Sequence, residues 1–137
     1  MLRKRKSMRA IRLSLPADIR GFLRSKDEVE RTQGIARLRD MLHESIPLIE
    51  RHLKDKSPLV RFNALISLTR LGSKKSMPKV IECLKSRHEG IRIEAIEFIS
   101  KFGSRKTIRF LKPLLWHPSR KTRKAAFEAI ASLKNIG

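Results

Sequence analysis

The stretch Val60-Arg61-Phe62-Asn63-Ala64-Leu65 recurs 31 residues later in this 137-residue chain, as Ile91-Arg92-Ile93-Glu94-Ala95-Ile96. A weaker third copy is Arg123-Lys124-Ala125-Ala126-Phe127. The same offset relates Leu68 to Ile99 and Ile130. A fixed period of this size is typical of a stacked array of repeats, so the repetition decides the fold.

Each repeat is predicted to contain two helices. Apolar residues between Val60 and Leu71 fall on one face of a helix, and Gly72 follows where a left-handed residue can end it. A second apolar stretch begins after Ser76, which is placed as an N-cap, and Pro78 lies in the first turn, where a missing amide costs nothing. The unit is therefore a pair of short antiparallel helices.

The three quoted blocks, together with Gly72 and Gly103, resemble the HEAT-repeat family, in particular its short class of roughly thirty-residue helical pairs first noted in phycobilin lyases. The resemblance covers about residues 27 to 137. It implies an all-α fold, a right-handed α-solenoid of about three and a half helical pairs. It also implies a role as a binding surface, because such repeats mostly serve in that way.

The domain organisation follows from the register of the repeats. We expect a basic N-terminal arm over residues 1–17 and a single HEAT-like domain over 18–137, with units at about 27–57, 58–88, 89–119 and 120–137. The first unit aligns better at an offset of 30, with Arg31 under Arg61. A short helix carrying Ile19 and Leu23 is predicted to cap the first end of the array.

The charge balance gives the clearest indication of function. The chain has 33 Lys and Arg against 13 Asp and Glu, a formal net charge of +20. Between Asp18 and Lys56 the charges nearly balance, whereas eighteen basic residues face five acidic ones from Ser57 to Gly137. Self-repulsion on this scale disfavours a compact chain unless a polyanion binds it. The C-terminal repeats are therefore the expected binding region.

Cysteine content and hydropathy indicate the compartment. The one cysteine, Cys83, excludes an internal disulfide and fits a reducing environment. No apolar run has the length of a membrane span. We expect an intracellular, cytoplasmic protein. The arginine-rich start favours a mobile terminal arm, with a nucleic-acid tail as the next alternative and an organelle transit peptide as the third.

Two turns inside the repeats are candidate phosphate contacts. They read Gly72-Ser73-Lys74-Lys75-Ser76 and Gly103-Ser104-Arg105-Lys106-Thr107. The short HEAT class usually has an acidic residue after this glycine, so basic pairs here depart from the resemblance. Free amides and the helix dipole favour an anion at a helix N-terminus, and adjacent cations strengthen that preference. Ordinary solvated turn charges remain the alternative.

Arginine also recurs at one position of each first helix, as Arg61, Arg92 and Arg123. The resemblance implies that such an arginine pairs with an aspartate in the preceding loop, and only Asp55 occupies that loop position here. Carbonyl groups at helix ends can also bind the arginine. Arg92 and Arg123 lack the acid, so they are the members expected to be free for a ligand.

Further basic residues lie in or beside the turns between repeats and would form stripes along stacked helices. Stripes match a phosphate backbone better than a small molecule. The full set of expected nucleic-acid contacts is Lys74, Lys75, Arg92, Arg105, Lys106, Arg109, Arg120, Lys121, Arg123 and Lys124, with Arg3, Lys4, Arg5 and Lys6 of the arm.

Residues for catalysis are sparse. The four histidines lie in different units without metal-ligand spacing, and Cys83 aligns with helix positions that favour burial over nucleophilic chemistry. We predict no metal, no cofactor and no enzymatic activity. Base stacking is disfavoured, because most phenylalanines, including Phe127, lie at or beside core positions, and packing is favoured for Phe110 and Trp116 as well.

Two features near the C-terminus complete the prediction. Pro113 should end or kink the helix that begins near Thr107. The last helix, about Ser119 to Leu133, lacks a following helix in this sequence. Its outer face is therefore either covered by a partner or mostly polar.

The expected function is a non-catalytic module that binds nucleic acid through its phosphates, either without sequence preference or by shape. RNA and duplex DNA are not separated by the sequence. The alternative is a protein adaptor whose basic stripe binds an acidic partner. An anionic membrane surface is a third option that the sequence favours less.

Overall fold

The computed structural model describes residues 7–40 and 45–136, and these contain helices and turns but no strand. The α-helices are α1 (Met8–Ser14), α2 (Ala17–Arg24), α3 (Glu28–Arg39), α4 (Ile46–Arg51), α5 (Pro58–Leu71), α6 (Met77–Cys83), α7 (Glu89–Phe102), α8 (Ile108–Leu111) and α9 (Arg120–Lys134). Short 3-10 helices cover His52–Lys54, Lys74–Ser76, Arg105–Thr107 and Lys112–Trp116. The all-α solenoid class with short helical pairs is confirmed.

The chain forms two compact units, residues 1–71 and residues 72–137. The division falls at Gly72, in the turn between the two helices of the second repeat. Gly72 has a φ of 65°, the left-handed conformation that glycine adopts without strain, as predicted for a helix stop. Gly103 instead has a negative φ, and its requirement is space, since a Cβ there would lie 2.4 Å from the Ile99 carbonyl oxygen.

In the first unit, α3 packs against α2 on one side and α5 on the other. The aligned residues Gly34, Ile35 and Leu38 are all buried, which confirms the 30-residue register of the first repeat. A Cβ on Gly34 would lie 2.9 Å from a methyl carbon of Leu23, so α2 approaches α3 too closely for a larger residue. The predicted capping helix is therefore present as α2.

Part of the segment expected to be an arm belongs to this unit. Helix α1 begins after Ser7, whose hydroxyl accepts a hydrogen bond from the Ala10 amide. Ile11 and Leu15 are buried. Burial of these apolar residues explains why residues 8–15 fold onto the unit. Arg3, Lys4, Arg5 and Lys6 lie outside the described residues.

In the second unit, α7 packs against both α6 and α9, and α8 also contacts α9. Its core contains Ile96, Phe98, Leu111 and Leu133, each at most 1% exposed. Helix α8 ends at Leu111 and continues as the 3-10 helix that contains Pro113, as predicted. Among the described helices of both units, none combines the length and apolar character that crossing a membrane requires.

A buried ion pair holds the loop before α5 against α3. Arg31 donates from Nε and Nη2 to the two carboxylate oxygens of Asp55, each over 2.9 Å, and the two side chains are only 7% and 9% exposed. The expected pairing of Asp55 with Arg61 is wrong. The Asp55 carboxylate binds Arg31 of α3 instead, and Arg61 contacts only the Asp55 backbone carbonyl.

The ion pair shifts the pKa of both Arg31 and Asp55. Burial alone would raise the pKa of Asp55, but hydrogen bonds from Arg31 and from the Ser57 amide bring it below the ordinary value. The hydrogen bond with Asp55 is the main reason that the pKa of Arg31 is raised. The pair is therefore ionised in the folded chain.

Replacing Asp55 by Asn should lower the free energy of unfolding by about 3 kcal/mol, because the Arg31 charge would stay buried without its counter-ion. Asp18 and Arg37 also form a carboxylate–guanidinium ion pair, but both of these side chains are about half exposed. Asp18→Asn is therefore the matched control and should cost less than about 1 kcal/mol. Urea unfolding followed by circular dichroism at neutral pH measures both, and equal losses would contradict a buried pair.

The Asp55 contribution should also depend on pH. Because the folded-state pKa is below the unfolded one, the stabilisation is fully present above the unfolded value of about 3.9 and is lost as pH falls through the folded-state value. The stability difference between the native chain and Asp55→Asn should stay constant from neutral pH to about pH 5 and shrink below about 3.9. A difference that grows on acidification would have the wrong sign.

Candidate nucleic-acid interface

The second unit carries most of the surplus charge. From Gly72 to Gly137 there are sixteen Lys and Arg against five Glu. Lys85 pairs with Glu82 on the surface. Eight predicted contacts have exposed side chains, and within the part of the chain that the structure describes none of the eight forms an ion pair with a carboxylate. These eight are Lys74, Lys75, Arg105, Lys106, Arg109, Arg120, Lys121 and Lys124.

Four of these cations form what we call the paired-turn patch, which consists of Lys74, Lys75, Arg105 and Lys106. Each pair lies in a 3-10 helix that directly precedes the second helix of its repeat. The two pairs occupy equivalent positions of successive repeats, as the 31-residue offset predicts. All four side chains are exposed. The patch can therefore present cations at a repeated spacing.

The backbone amides of these turns do not serve as predicted. In the second turn the Ser104 and Lys106 amides donate to the Thr107 and Ser104 hydroxyls, so the turn satisfies its own donors. In the first turn the Lys74 and Ser76 amides donate to backbone carbonyls. Ser76 gives no side-chain cap to α6 either. The following helices are too short, at seven and four residues, to provide a strong dipole. These four amides are therefore not free for an anion, and the exposed cations are the groups that the turns present to solvent.

Two members of this region have additional contacts. Arg105 donates from Nη2 to the Lys134 carbonyl over 2.9 Å, which ties the second turn to the end of α9. The Arg109 guanidinium lies 5.3 Å from the centre of the Phe110 ring. Both side chains remain exposed, so each keeps donors for an anion.

The recurring arginines bind their own turns. In every repeat Nη1 donates to the carbonyl six residues earlier: Arg31 to Ser25, Arg61 to Asp55, Arg92 to Ser86 and Arg123 to His117. The recurring arginines therefore bind backbone carbonyls, which is the alternative that the sequence left open. It closes the turn that leads into each first helix.

Arg92 is not available to a ligand, contrary to the prediction. Its side chain is buried, and its Nε donates to the hydroxyl of Thr122, which is itself fully buried. The Thr122 hydroxyl on α9 thus takes the role that an acid would have had for Arg92. Arg123 is only half-buried, and its Nη1 also reaches the Pro118 carbonyl.

A basic cavity in the first unit was missed by sequence reasoning. Its volume is about 350 Å³, and leucines from three segments form the apolar part of its wall. The polar lining consists of Arg12, Arg20, Arg24, Arg51, His52, Lys54 and Asp55. One sequence signal existed, since Arg20 and Arg24 are like charges four residues apart on one helix, an unfavourable pairing. The other cations come from separate segments that only folding brings together.

The electrostatics of this cavity favour an anion. The pKa of Arg12 is lowered, first by burial and then by the positive charges of Arg51 and Arg24. The Asp55 carboxylate already accepts both hydrogen bonds from Arg31. A phosphate group in the cavity would offset the repulsion among the arginines.

Three aromatic side chains differ from expectation. Trp116 is 78% exposed, Phe127 is 66% exposed and Phe110 is 40% exposed, although packing was predicted for all three. Phe98 is buried as expected, and its ring meets that of Phe102 edge to face at 5.0 Å. Phe127 belongs to the last described helix, so its outward face has no following repeat within the described residues.

The residues considered for catalysis have structural contacts. The Cys83 thiol is half-buried and donates to the Lys79 carbonyl, as the helix register predicts. His117 Nδ1 accepts a hydrogen bond from the Ser119 amide. Over residues 7–40 and 45–136, no group of three or more His, Cys, Asp or Glu side chains is placed to hold a metal ion.

Comparisons with known proteins identify the repeat. A family model described as HEAT repeats matches residues 45–131. The fold is similar to that of human deoxyhypusine hydroxylase, solved in complex with glycerol, with a TM-score of 0.70 and 19% sequence identity over 86% of this chain. The chain spans 42% of the length of that protein. At this identity the likeness concerns the fold alone. No curated protein matches the sequence.

Replacing Arg92 by Ala should lower the free energy of unfolding by about 2 kcal/mol, because the Ser86 carbonyl and the buried Thr122 hydroxyl lose their partner. Arg123→Ala is the matched control at the same repeat position. It should cost less than about 1 kcal/mol, since water can reach the carbonyls it leaves. Urea unfolding by circular dichroism distinguishes the two, and a larger loss for Arg123→Ala would contradict the assigned roles.

Proposed function

We propose, from the premise that this chain belongs to the HEAT-repeat family, that it is a non-catalytic module that binds nucleic acid through its phosphates. Stacked helical pairs expose extended surfaces suited to long ligands. The excess of Lys and Arg over Asp and Glu lies mainly in the later repeats, so we place the principal nucleic-acid contact there. An intracellular setting, where nucleic acid is abundant, is part of this proposal.

The exposed and unpaired cations of the second unit carry the proposal. Lys74 and Lys75 in one repeat, and Arg105 and Lys106 in the next, keep their charges in solvent at equivalent positions. Folding gains little from such an arrangement, because like charges repel and no carboxylate of the described residues compensates these four. A nucleic-acid backbone carries negative charges at regular intervals and releases its counter-ions when cations bind.

The basic cavity of the first unit supports a second phosphate contact. Arg12 is partly desolvated there, and an arginine fork can hold a phosphate by two hydrogen bonds. The apolar wall leaves room for more than a bare ion. The proposed module therefore contacts phosphates in each of its two units.

The proposed mode of recognition carries no base readout. Lys and Arg contacts to phosphate position a protein on nucleic acid but convey no sequence. We therefore expect binding without sequence preference or by shape, to RNA or to duplex DNA.

Salt should weaken binding steeply. If about six phosphates are neutralised, raising the salt from about 50 to about 200 mM should weaken duplex binding roughly a thousandfold. Fluorescence anisotropy of labelled duplex DNA and of a structured RNA measures this slope, and an affinity unchanged across that range would refute the phosphate mechanism.

The paired-turn patch can be tested by substitution. Changing Lys74, Lys75, Arg105 and Lys106 together to Gln should reduce binding at least about a hundredfold, because four phosphate contacts are lost. The matched control changes Lys26, Lys56, Arg70 and Lys101 to Gln, which removes the same charge from exposed positions outside the patch and the cavity. The control should weaken binding much less, and equal losses would show that net charge alone matters.

An acidic peptide provides the comparison with the adaptor alternative. Heparin, duplex DNA, structured RNA and an acidic peptide are compared at one ionic strength. A preference for nucleic acid supports the proposal, and a preference for the peptide that the patch variant abolishes would replace it with an acidic-protein adaptor.

A further inference from the structure

The outer face of α9 exposes a residue at a position that is buried in every earlier repeat. Phe127 aligns with Ile35, Leu65 and Ile96. Those three side chains are at most 1% exposed, whereas Phe127 is 66% exposed and neighbouring Trp116 is 78% exposed. Terminal repeats of solenoids normally have a polar outer face. This face therefore has the character of a helix interface without its second helix among the described residues.

The guanidinium on this face has a free edge. Arg31 uses Nη1 for its own turn and its other two nitrogens for the Asp55 carboxylate that introduces the next repeat. Arg92 likewise uses Nη1 for its own turn and Nε for the next helix. Arg123 uses Nη1 for its own turn, but its Nε and Nη2 have no hydrogen-bond partner among the described residues. Arg61 likewise bonds through Nη1 alone among those residues, but Arg123 is the one that lies beside exposed Trp116 and Phe127. The free edge matches the one that holds a carboxylate on Arg31.

The charge at a second position of the interface is reversed. Glu28 and Glu89 each begin a first helix and accept a hydrogen bond from a serine in the loop before the next first helix, Ser57 and Ser119 respectively. The aligned residue in α9 is Arg120. Glu28 and Glu89 accept a hydrogen bond at this position, whereas Arg120 can only donate one. A partner that covers this face must therefore supply an acceptor to Arg120.

These residues together line one shallow groove, which we call the α9 face: Leu115, Trp116, Arg120, Arg123, Lys124 and Phe127. Its lining combines two aromatic side chains with three cations. Aromatic residues and arginine are the types enriched at protein interfaces. Arginine and tryptophan are among the residues most enriched at binding hot spots.

We propose that the α9 face binds an acidic amphipathic helix of another protein. The apolar side of that helix covers Phe127 and Trp116, and a carboxylate just before it pairs with the free edge of Arg123 as Asp55 pairs with Arg31. This inference goes beyond the proposed function and does not rest on it. Arg120, Arg123 and Lys124, which the sequence places among the nucleic-acid contacts, are assigned here to a surface apart from the paired-turn patch and to a different class of partner.

Charge argues against a second copy of this chain as the occupant. Two α9 faces brought together would place Arg120, Arg123 and Lys124 opposite their counterparts. Glu128 is the only acidic residue of α9 and cannot balance three cations from each copy. The same three cations attract an acidic helix and steer its approach.

Trp116 is the only tryptophan of the chain, so its fluorescence reports directly on this face. The probe is a stapled, tryptophan-free peptide with leucines at i, i+3, i+4 and i+7, glutamates on the opposite side and an aspartate one turn before the first leucine. Its control is a stapled peptide of the same composition and charge with the order scrambled. The ordered peptide should shift the Trp116 emission to the blue and bind at least about tenfold more tightly than the scrambled one.

Two protein variants separate the contacts. Phe127→Ser removes the apolar anchor at an exposed position, so it should fold normally and lose at least about tenfold in peptide affinity. Arg123→Gln should lose affinity for the peptide with aspartate, but not for a peptide with asparagine in its place. This coupling in a double-mutant cycle assigns the carboxylate to Arg123.

Several results would overturn the proposal. They are the absence of peptide binding, equal binding of the scrambled peptide, a coupling of zero at Arg123, and a dimer of the free chain that Phe127→Ser dissociates. Failure here is distinguishable from failure of the nucleic-acid proposal, because Phe127→Ser should leave nucleic-acid affinity unchanged. If nucleic acid shifts the Trp116 emission and Phe127→Ser abolishes that shift, the face stacks bases instead.

Discussion

The structure depends on one repeated hydrogen bond, from an arginine at the start of each first helix to the carbonyl six residues before it. The bond recurs at Arg31, Arg61, Arg92 and Arg123, over 2.7 to 3.0 Å. It fixes how the chain turns from one repeat into the next first helix, and it leaves the other guanidinium edge facing onward. What meets that edge differs along the chain: a carboxylate for Arg31, a hydroxyl for Arg92, and no hydrogen-bond partner among the described residues for Arg61 and Arg123. Arg31 and Arg92, whose second edge is bonded, therefore serve the fold, whereas Arg123 keeps an edge that a ligand can use.

This division explains how so basic a chain can fold. Arg31 and Arg92 lie inside their units with partners, where their charges contribute to packing. The remaining cations are mostly in turns and on exposed helix sides, where water solvates them and folding requires nothing of them. Self-repulsion among them is the cost, and the proposed polyanion would relieve it. In the basic cavity that repulsion acts on Arg12, whose side chain is partly buried and faces the charges of Arg51 and Arg24.

Sequence predicted the fold more fully than the sites. The 31-residue period identified the repeat, the Gly72 stop and the Pro113 break, because those features depend on local backbone chemistry. The prediction that Arg92 is free for a ligand was wrong, because its partner is a threonine thirty residues away whose hydroxyl does not resemble the expected acid. The basic cavity was not predicted, because Arg12, Arg24 and Arg51 come from three helices. Phe127 was assigned to the core because its register is a core register, and the sequence alone does not show which repeats are covered.

The proposed function requires that the exposed cations of the paired-turn patch contact phosphates. NMR spectra of the isotopically labelled chain, recorded during titration with a short duplex, locate these contacts residue by residue. We expect the largest shifts in the two turns around Lys74, Lys75, Arg105 and Lys106 and around the cavity at Arg12, with little change along the α9 face. Shifts spread evenly over all exposed Lys and Arg, or confined to the α9 face, would contradict the proposed function.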